Sequence, residues 1–293
     1  MKASNKCYDC LFIKHLERAK GRGDDKTYKA FTKDLKDVIY GKDNAVSTSI
    51  LVYRIDRLYE KHFGSAETFE GVNSRYNKFM LERESIIEKE IDASVDKIKS
   101  CIEFSLAGNY IDFGTNPSVS ESVLEKLLKD AKNLSIDVGE LERFKKDLKN
   151  AKSVLFLLDN CGEIVIDKIF IKVIKATYPE KQIIAMVRGG KVLNDATKID
   201  AKEIGLDKVC LVLDNGYATP GADPYLMSEE SLSIMKNADL IISKGQGNFE
   251  SLYGEKFNPY FLFLCKCELF VEKFGLKMFS PVFCKEENIK VKF

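Results

Sequence analysis

From Ser153 onward the chain alternates short, continuous apolar runs with segments of helical length, and this rhythm constrains the fold more than any other feature. The runs are SVLFLL (153–158), QIIAMV (182–187), VCLVL (209–213) and DLIIS (239–243). Strands that are apolar on both faces belong to a parallel sheet covered by helices on both sides. Helix-length segments separate the first two runs and the last two, with a shorter one between. FLFL (261–264) fits either strand or helix, and IKVKF (289–293) fits an edge strand.

The first half has a different period. Between residues 81 and 106, Ile87, Ile91, Val95, Ile98, Ile102 and Ser105 recur at steps of three and four. This predicts one long amphipathic helix with most of its charges on the other face. Helices are also expected over 27–40, 44–62 and 123–150, the last with an interruption near Val138-Gly139. AGNYIDFG (107–114) breaks the pattern with two glycines and an Asn. The expected division is a helical region over 1–150 and an α/β domain over 151–293.

Charge narrows the partners. With 46 Lys and Arg against 45 Asp and Glu, no overall field recruits nucleic acid or an anionic membrane. No apolar run reaches membrane-spanning length, and MKASNKCYDC lacks the core of a secretion signal, so a cytoplasmic location is expected. The eight cysteines are then expected to be reduced. Cys101, Cys210 and Cys284 lie in apolar surroundings and read as small core residues.

In open parallel sheets, ligands gather beyond the carboxyl ends of the strands. Each run here ends in polar residues: Asp159-Asn160, Arg188-Gly189-Gly190-Lys191, Asp214-Asn215-Gly216 and Lys244-Gly245-Gln246-Gly247-Asn248. Asp159 and Asn160 offer oxygen donors, and Asp195 follows in VLNDAT. Two carboxylates and an amide carbonyl suit a hard divalent cation. The only histidines, His15 and His62, lie outside this half, against a zinc site here. Lys244 and the Gly245-Gln246-Gly247 loop join a cation to backbone amides, a combination that cradles anions.

Each feature also has a plainer reading. Asp-Asn after a strand caps helices or forms Asx turns, Asn194 to Thr197 could cap a helix, and Lys244-Gly245 could be a surface turn. It is the coincidence of four polar strand ends that favours a site, and metal-ligand oxygens beside an anion cradle suggest phosphate chemistry. The sequence carries no Rossmann dinucleotide fingerprint, P-loop or Gly-x-Ser-x-Gly.

Taken in order, DNCGEIVIDK, VRGGKVLNDAT, DNGYATPG and SKGQGNFESL resemble the metal-dependent damage-control phosphatases, once called domain of unknown function 89. AGNYIDFG, Lys266-Cys267 and the Cys7-x-x-Cys10 of an archaeal and bacterial subgroup extend the resemblance over nearly the whole chain. It implies a three-layer α/β/α Rossmann-like sandwich on a mostly parallel sheet, preceded by a helical region. It also implies hydrolysis of phosphomonoesters with a divalent metal (Mn, Ni, Co or Mg) held by Asp159, Asn160 and Asp195. The family's substrate segment falls on residues 246–250, with Asn248 the best match, and its phosphate-gripping lysine falls on Lys266. Two positions depart from the pattern: Lys191 replaces a common proline, and Cys265 an aliphatic residue.

On this reading the metal polarises a phosphoryl oxygen, while Lys266 and the amides of residues 244–248 neutralise the others. Attack comes either from a water at the metal or from Asp159 itself. Glu163 either orients a water or is an ordinary first-turn acid. Asn109 and Asp112 either line the cleft or form a turn. Cys7 and Cys10 are read as a pair on the first turn of a helix, or as half of a zinc site completed by Cys265, Cys267 or His15. The partner expected is a small phosphorylated metabolite of undetermined identity, and the oligomeric state stays open. The rival functions are a non-catalytic phosphometabolite-binding protein and, behind it, an S-adenosylmethionine-dependent carboxyl methyltransferase.

Overall fold

The computed structural model describes residues 1–42, 45–64, 70–111 and 120–291. Three helices come first: α1 (Asn5–Ala19), α2 (Asp25–Tyr40) and α3 (Thr48–Phe63). Each opens on a side chain that accepts from an otherwise unpaired amide: Ser4 from Cys7, Asp24 from Thr27 and Ser47 from Ile50. They enclose a separate core that includes Phe31, Leu35, Ile39, Leu51, Ile55 and Tyr59.

Next come α4 (Glu70–Asp92) and α5 (Lys97–Gly108). The single helix expected over 81–106 is therefore two. The apolar period runs through the break in phase, but the Asp96 carboxylate accepts from the Lys99 amide and starts a new helix. Val95, on the expected apolar stripe, is fully exposed. Then follow α6 (Glu121–Lys129), a short 3-10 turn (Ala131–Asn133) and α7 (Val138–Asn150). Asp137 caps α7, so Val138 opens a helix and the interruption lies just before it.

The alternation from residue 153 forms as expected. It runs β1 (Ser153–Leu157), α8 (Glu163–Thr177), β2 (Gln182–Val187), α9 (Lys198–Glu203) and β3 (Leu211–Asp214). It continues with α10 (Glu229–Asn237), β4 (Leu240–Lys244), α11 (Gly245–Leu252), β5 (Tyr260–Leu264), α12 (Glu268–Phe274) and β6 (Pro281–Lys285). FLFL lies in β5, which is buried throughout. The edge strand is not IKVKF: residues 289–291 form no strand, and residues 292–293 lie outside the described residues. PVFCK takes that place, antiparallel to β5, with Val282 and Phe283 entering cores on opposite faces. Pro281 is tolerated because it is the first residue of an edge strand.

The sheet order is β3-β2-β1-β4-β5-β6, with every pair parallel except β5–β6. Alternate residues of β1 serve alternate faces. Val154 and Phe156 join a core with α4 to α9, while Leu155 and Leu157 join one with α10 to α12. The result is a three-layer α/β/α sandwich. Its larger core spans residue 150, where Phe144 packs edge-on against Tyr260 at 5.0 Å between ring centroids. After β3 the chain crosses back to place β4 beside β1, and the topological switch point opens a crevice at their carboxyl ends. The start of α3 borders this crevice, with Ser49 and Ser251 hydroxyls 2.7 Å apart and the Thr48 hydroxyl donating to Glu250.

Candidate metal and phosphate site

Asp159 and Asn160 lie in the crevice between β1 and α8. Gly162, at φ +81°, is the cap residue of α8, and no side chain caps that helix. The Asp-Asn pair is thus not a helix cap, and its side chains are directed elsewhere. Asp159 Oδ2 accepts from Asn160 Nδ2 at 2.7 Å and from Asn109 Nδ2 at 3.3 Å. Its Oδ1 accepts from Arg188 Nη2 at 3.2 Å. Asp195 is brought in by backbone pairing with Asn160, and its Oδ2 accepts from Arg188 Nε at 2.6 Å. Burial, followed by the charges of Asp195 and Glu163, raises the Asp159 carboxyl well above the usual range.

Gly245 permits this approach. A Cβ there, on a backbone at φ +79°, would stand 1.8 Å from Asp159 Oδ2. The glycine after β4 is therefore a matter of space as well as of backbone freedom.

A polar layer supports the pair. Glu163 accepts from Asn109 Nδ2 at 3.1 and 2.9 Å, from Asn160 Nδ2 at 3.3 Å, and from the Lys244 ammonium. Lys244 also donates to Asp167 at 2.9 Å, and all three side chains of this ion triad are fully buried. Burial alone would lower the Lys244 pKa, but Asp167 and Glu163 outweigh it and raise it. Burial pushes Asp167 up to about 6 against the pull of Lys244. Asn248 is equally inward: its Nδ2 donates to the carbonyls of Lys244 at 2.6 Å and Leu158 at 3.1 Å, and its Oδ1 accepts from Arg188 Nη1 at 3.1 Å.

Above this layer is a cavity of about 610 Å³. Asp159, Asn160, Asp195, Gln246, Gly247 and Lys266 line its sheet side. Gln246 Oε1 accepts from the Lys266 amide at 3.1 Å, tying the β4 and β5 strand ends together. The opposite wall is α1, including Cys7 and Cys10. These two lie in the first turns of α1, Cys7 half-buried and Cys10 exposed. His15 Nδ1 is 3.3 Å from the Tyr59 hydroxyl. Among the described residues no three His, Cys, Asp or Glu side chains gather as a metal-binding group.

The sequence candidates thus separate into two layers. Asp159, Asn160, Asp195, Gln246, Gly247 and Lys266 face the cavity. Asn109, Glu163, Lys244 and Asn248 form the layer beneath it. Lys244 is neither a surface turn nor part of the cavity lining, because α8 offers it two buried carboxylates. Asp112 lies outside the described residues. Sequence reading missed the roles of Arg188 and Asp167. The signal for Arg188 was an arginine directly after the apolar run Ile183–Val187 of β2, where only an acidic partner makes burial tolerable.

The donor set fits a hard divalent cation. Four buried carboxylates (Asp159, Glu163, Asp167 and Asp195) face three buried cations (Arg188, Lys244 and Lys266). The Asn160 amide nitrogen is engaged by Asp159 and Glu163, which leaves its oxygen as the donor for a cation.

A sheet of this order, with oxygen-bearing side chains and a lysine lining the cavity at its switch point, is an open α/β fold of the kind that binds ligands there. Residues 3–281 match the damage-control phosphatase ARMT1-like domain, and the chain belongs to that family of phosphatases. It is 34% identical over 208 residues to a damage-control phosphatase of Pyrococcus horikoshii, covering 68% of this chain and 70% of the relative. A damage-control phosphatase of Archaeoglobus fulgidus is 28% identical, over 95% of this chain and 97% of its own. The crystal structure of a family protein from P. horikoshii superposes with a TM-score of 0.80 at 25% identity, covering 98% of this chain and 99% of that one.

Proposed function

We propose that the chain is a metal-dependent hydrolase of small phosphomonoesters, acting in metabolite damage control in the cytoplasm. The observation that carries this reading is the meeting of Asp159, Asn160 and Asp195 with Lys266 in one cavity at the switch point. A Mn, Ni, Co or Mg ion on those three residues would polarise a phosphoryl oxygen and offset its charge. The chain's own residues supply the rest. Lys266 neutralises a second phosphoryl oxygen, and Gln246 fixes the Lys266 backbone. Arg188 holds the two carboxylates at their separation, and Glu163 and Asn109 fix the Asn160 and Asp159 side chains. Asp159 is placed either to attack phosphorus or to orient a water that does. The Lys244 triad locks α8 against β4, so the crevice does not relax as charge develops.

Phosphate release from p-nitrophenyl phosphate, after chelation and after each metal is added back, tests the proposal. Release that requires a divalent metal is expected; release unaffected by chelation, or none with any metal, would overturn it.

A further inference from the structure

The two segments that carry the site's aspartates are stitched together by their backbones. The Cys161 amide donates to the Asn194 carbonyl at 2.9 Å, and the Ala196 amide to the Asp159 carbonyl at 2.8 Å. Neither bond reaches the helical half of the chain. Asn109 touches the Asp159 side chain from that half, whereas Asn77 of α4 takes hold of the backbone. Asn77 is fully buried, and its Oδ1 accepts from the Gly162 amide at 2.7 Å. Gly162 is the cap residue of α8, and the third residue of that helix is Val165, which has no side-chain oxygen to return to the cap amide. The acceptor therefore comes from another helix.

The other end of the same side chain holds the second segment. Asn77 Nδ2 donates to Glu203 Oε2 at 2.8 Å and to Asp200 Oδ1 at 3.4 Å. Asp200 Oδ2 in turn accepts from the Thr197 amide at 2.9 Å and the Thr197 hydroxyl at 2.6 Å, the capping box that opens α9 just after Asp195. Ser74, one turn earlier on α4, donates its hydroxyl to Glu203 at 2.7 Å. Packing enforces the contact. A Cβ on Gly162 would stand 3.1 Å from Tyr76 Cβ and 3.2 Å from the Tyr76 carbonyl oxygen, so α4 meets the turn at a distance that glycine allows. An apolar residue at position 77 would leave the buried Gly162 amide without this acceptor.

We propose that Asn77 is a positioning residue for the metal: by holding Gly162 and the start of α9 to one side chain, it sets the separation of Asp159 and Asn160 from Asp195. The inference rests on the metal reading of that site. It makes metal affinity depend on α4, a helix that contributes no ligand.

Manganese binding by the full chain, stripped by chelation and then titrated with MnCl2 in a calorimeter, tests this. Asn77→Ala should weaken binding by roughly tenfold, the low end of what losing a residue that supports metal ligands costs. Tyr260→Phe is the control: it loses a hydroxyl bond to Asp147 of 2.8 Å at the amino end of β5, away from the site, and should bind as the wild type does. Asn77→Asp combined with Glu203→Gln conserves net charge, keeps an acceptor for Gly162 and reverses the second bond, so it should recover most of the affinity. Equal affinity in the wild type and Asn77→Ala, an equal loss in Tyr260→Phe, or no recovery in the swapped pair would overturn the role. If Asn77→Ala does not melt cooperatively, Asn77→Ser carries the comparison with the same expectation. A wild type that binds no manganese sinks the metal reading and the positioning role together, whereas binding that Asn77→Ala leaves unchanged sinks the role alone.

Discussion

The Arg188 guanidinium donates from Nε to Asp195 Oδ2 at 2.6 Å and from Nη2 to Asp159 Oδ1 at 3.2 Å, with all three side chains buried. One cation thus bridges the two carboxylates assigned to the metal, and Asn248 holds its third nitrogen. Arg188→Gln would leave two buried carboxylates facing each other, at a cost of about 3–5 kcal/mol. Urea midpoints should fall accordingly and recover in part with MnCl2, since a divalent ion then takes over the charge. An unchanged midpoint would show that the bridge holds nothing.

Asp159→Asn keeps the size of the side chain but removes one ligand charge. Turnover should drop at least about a hundredfold, with the circular dichroism spectrum preserved. Metal should also stop stabilising the fold: at a hundred times its Kd a ligand contributes about 2.7 kcal/mol. Thermal melts with and without MnCl2 read that difference, and a variant that still gains it disproves the assignment.

Gly245→Ala tests the space between β4 and Asp159. Its Cβ would fall 1.8 Å from Oδ2, so the carboxylate must move. A misplacement of about 1 Å costs roughly a hundredfold in rate. Near-normal kcat/KM for p-nitrophenyl phosphate would mean that the carboxylate position is not critical.

Acid should weaken the fold through His15. In the unfolded chain the imidazole takes up a proton below its ordinary value of 6.5, whereas in the fold it does so only at about 3. The unfolded state therefore binds the extra proton between those values. The contribution is fully present above pH 6.5 and is lost as pH falls toward 3, at up to about 1.4 kcal/mol per unit. Urea titrations at pH 7, 5 and 4 should show this slope, and His15→Gln should flatten it. An equal slope in the variant places the titration elsewhere.

Several features of the molecule were legible in one dimension. Four apolar runs without alternation pointed to a covered parallel sheet, although the third formed β3, an edge strand with no buried residue, and parallel strands direct all their carboxyl ends to one edge. Asp159, Asn160, Asp195, Gln246 and Lys266 are close because of that geometry, which makes residues far apart in sequence into neighbours. The break at Asp96 was hidden because the apolar phase continues across it and one capping bond outweighs the period. PVFCK was hidden because an edge strand needs little apolar length and tolerates a leading proline.

The sequence by itself determined the doubly covered sheet, the edge that holds the site and the chemical types gathered there. It did not determine which strand-end residues face the cavity. Lys244 and Asn248 belong to the same short stretch as Gln246 and Gly247, yet α8 and Arg188 draw them inward while their neighbours line the cavity. Those choices depend on carboxylates and carbonyls contributed by other elements. Only the tertiary structure brought α1 over the crevice, because helix docking depends on contacts between faces that local periodicity does not encode.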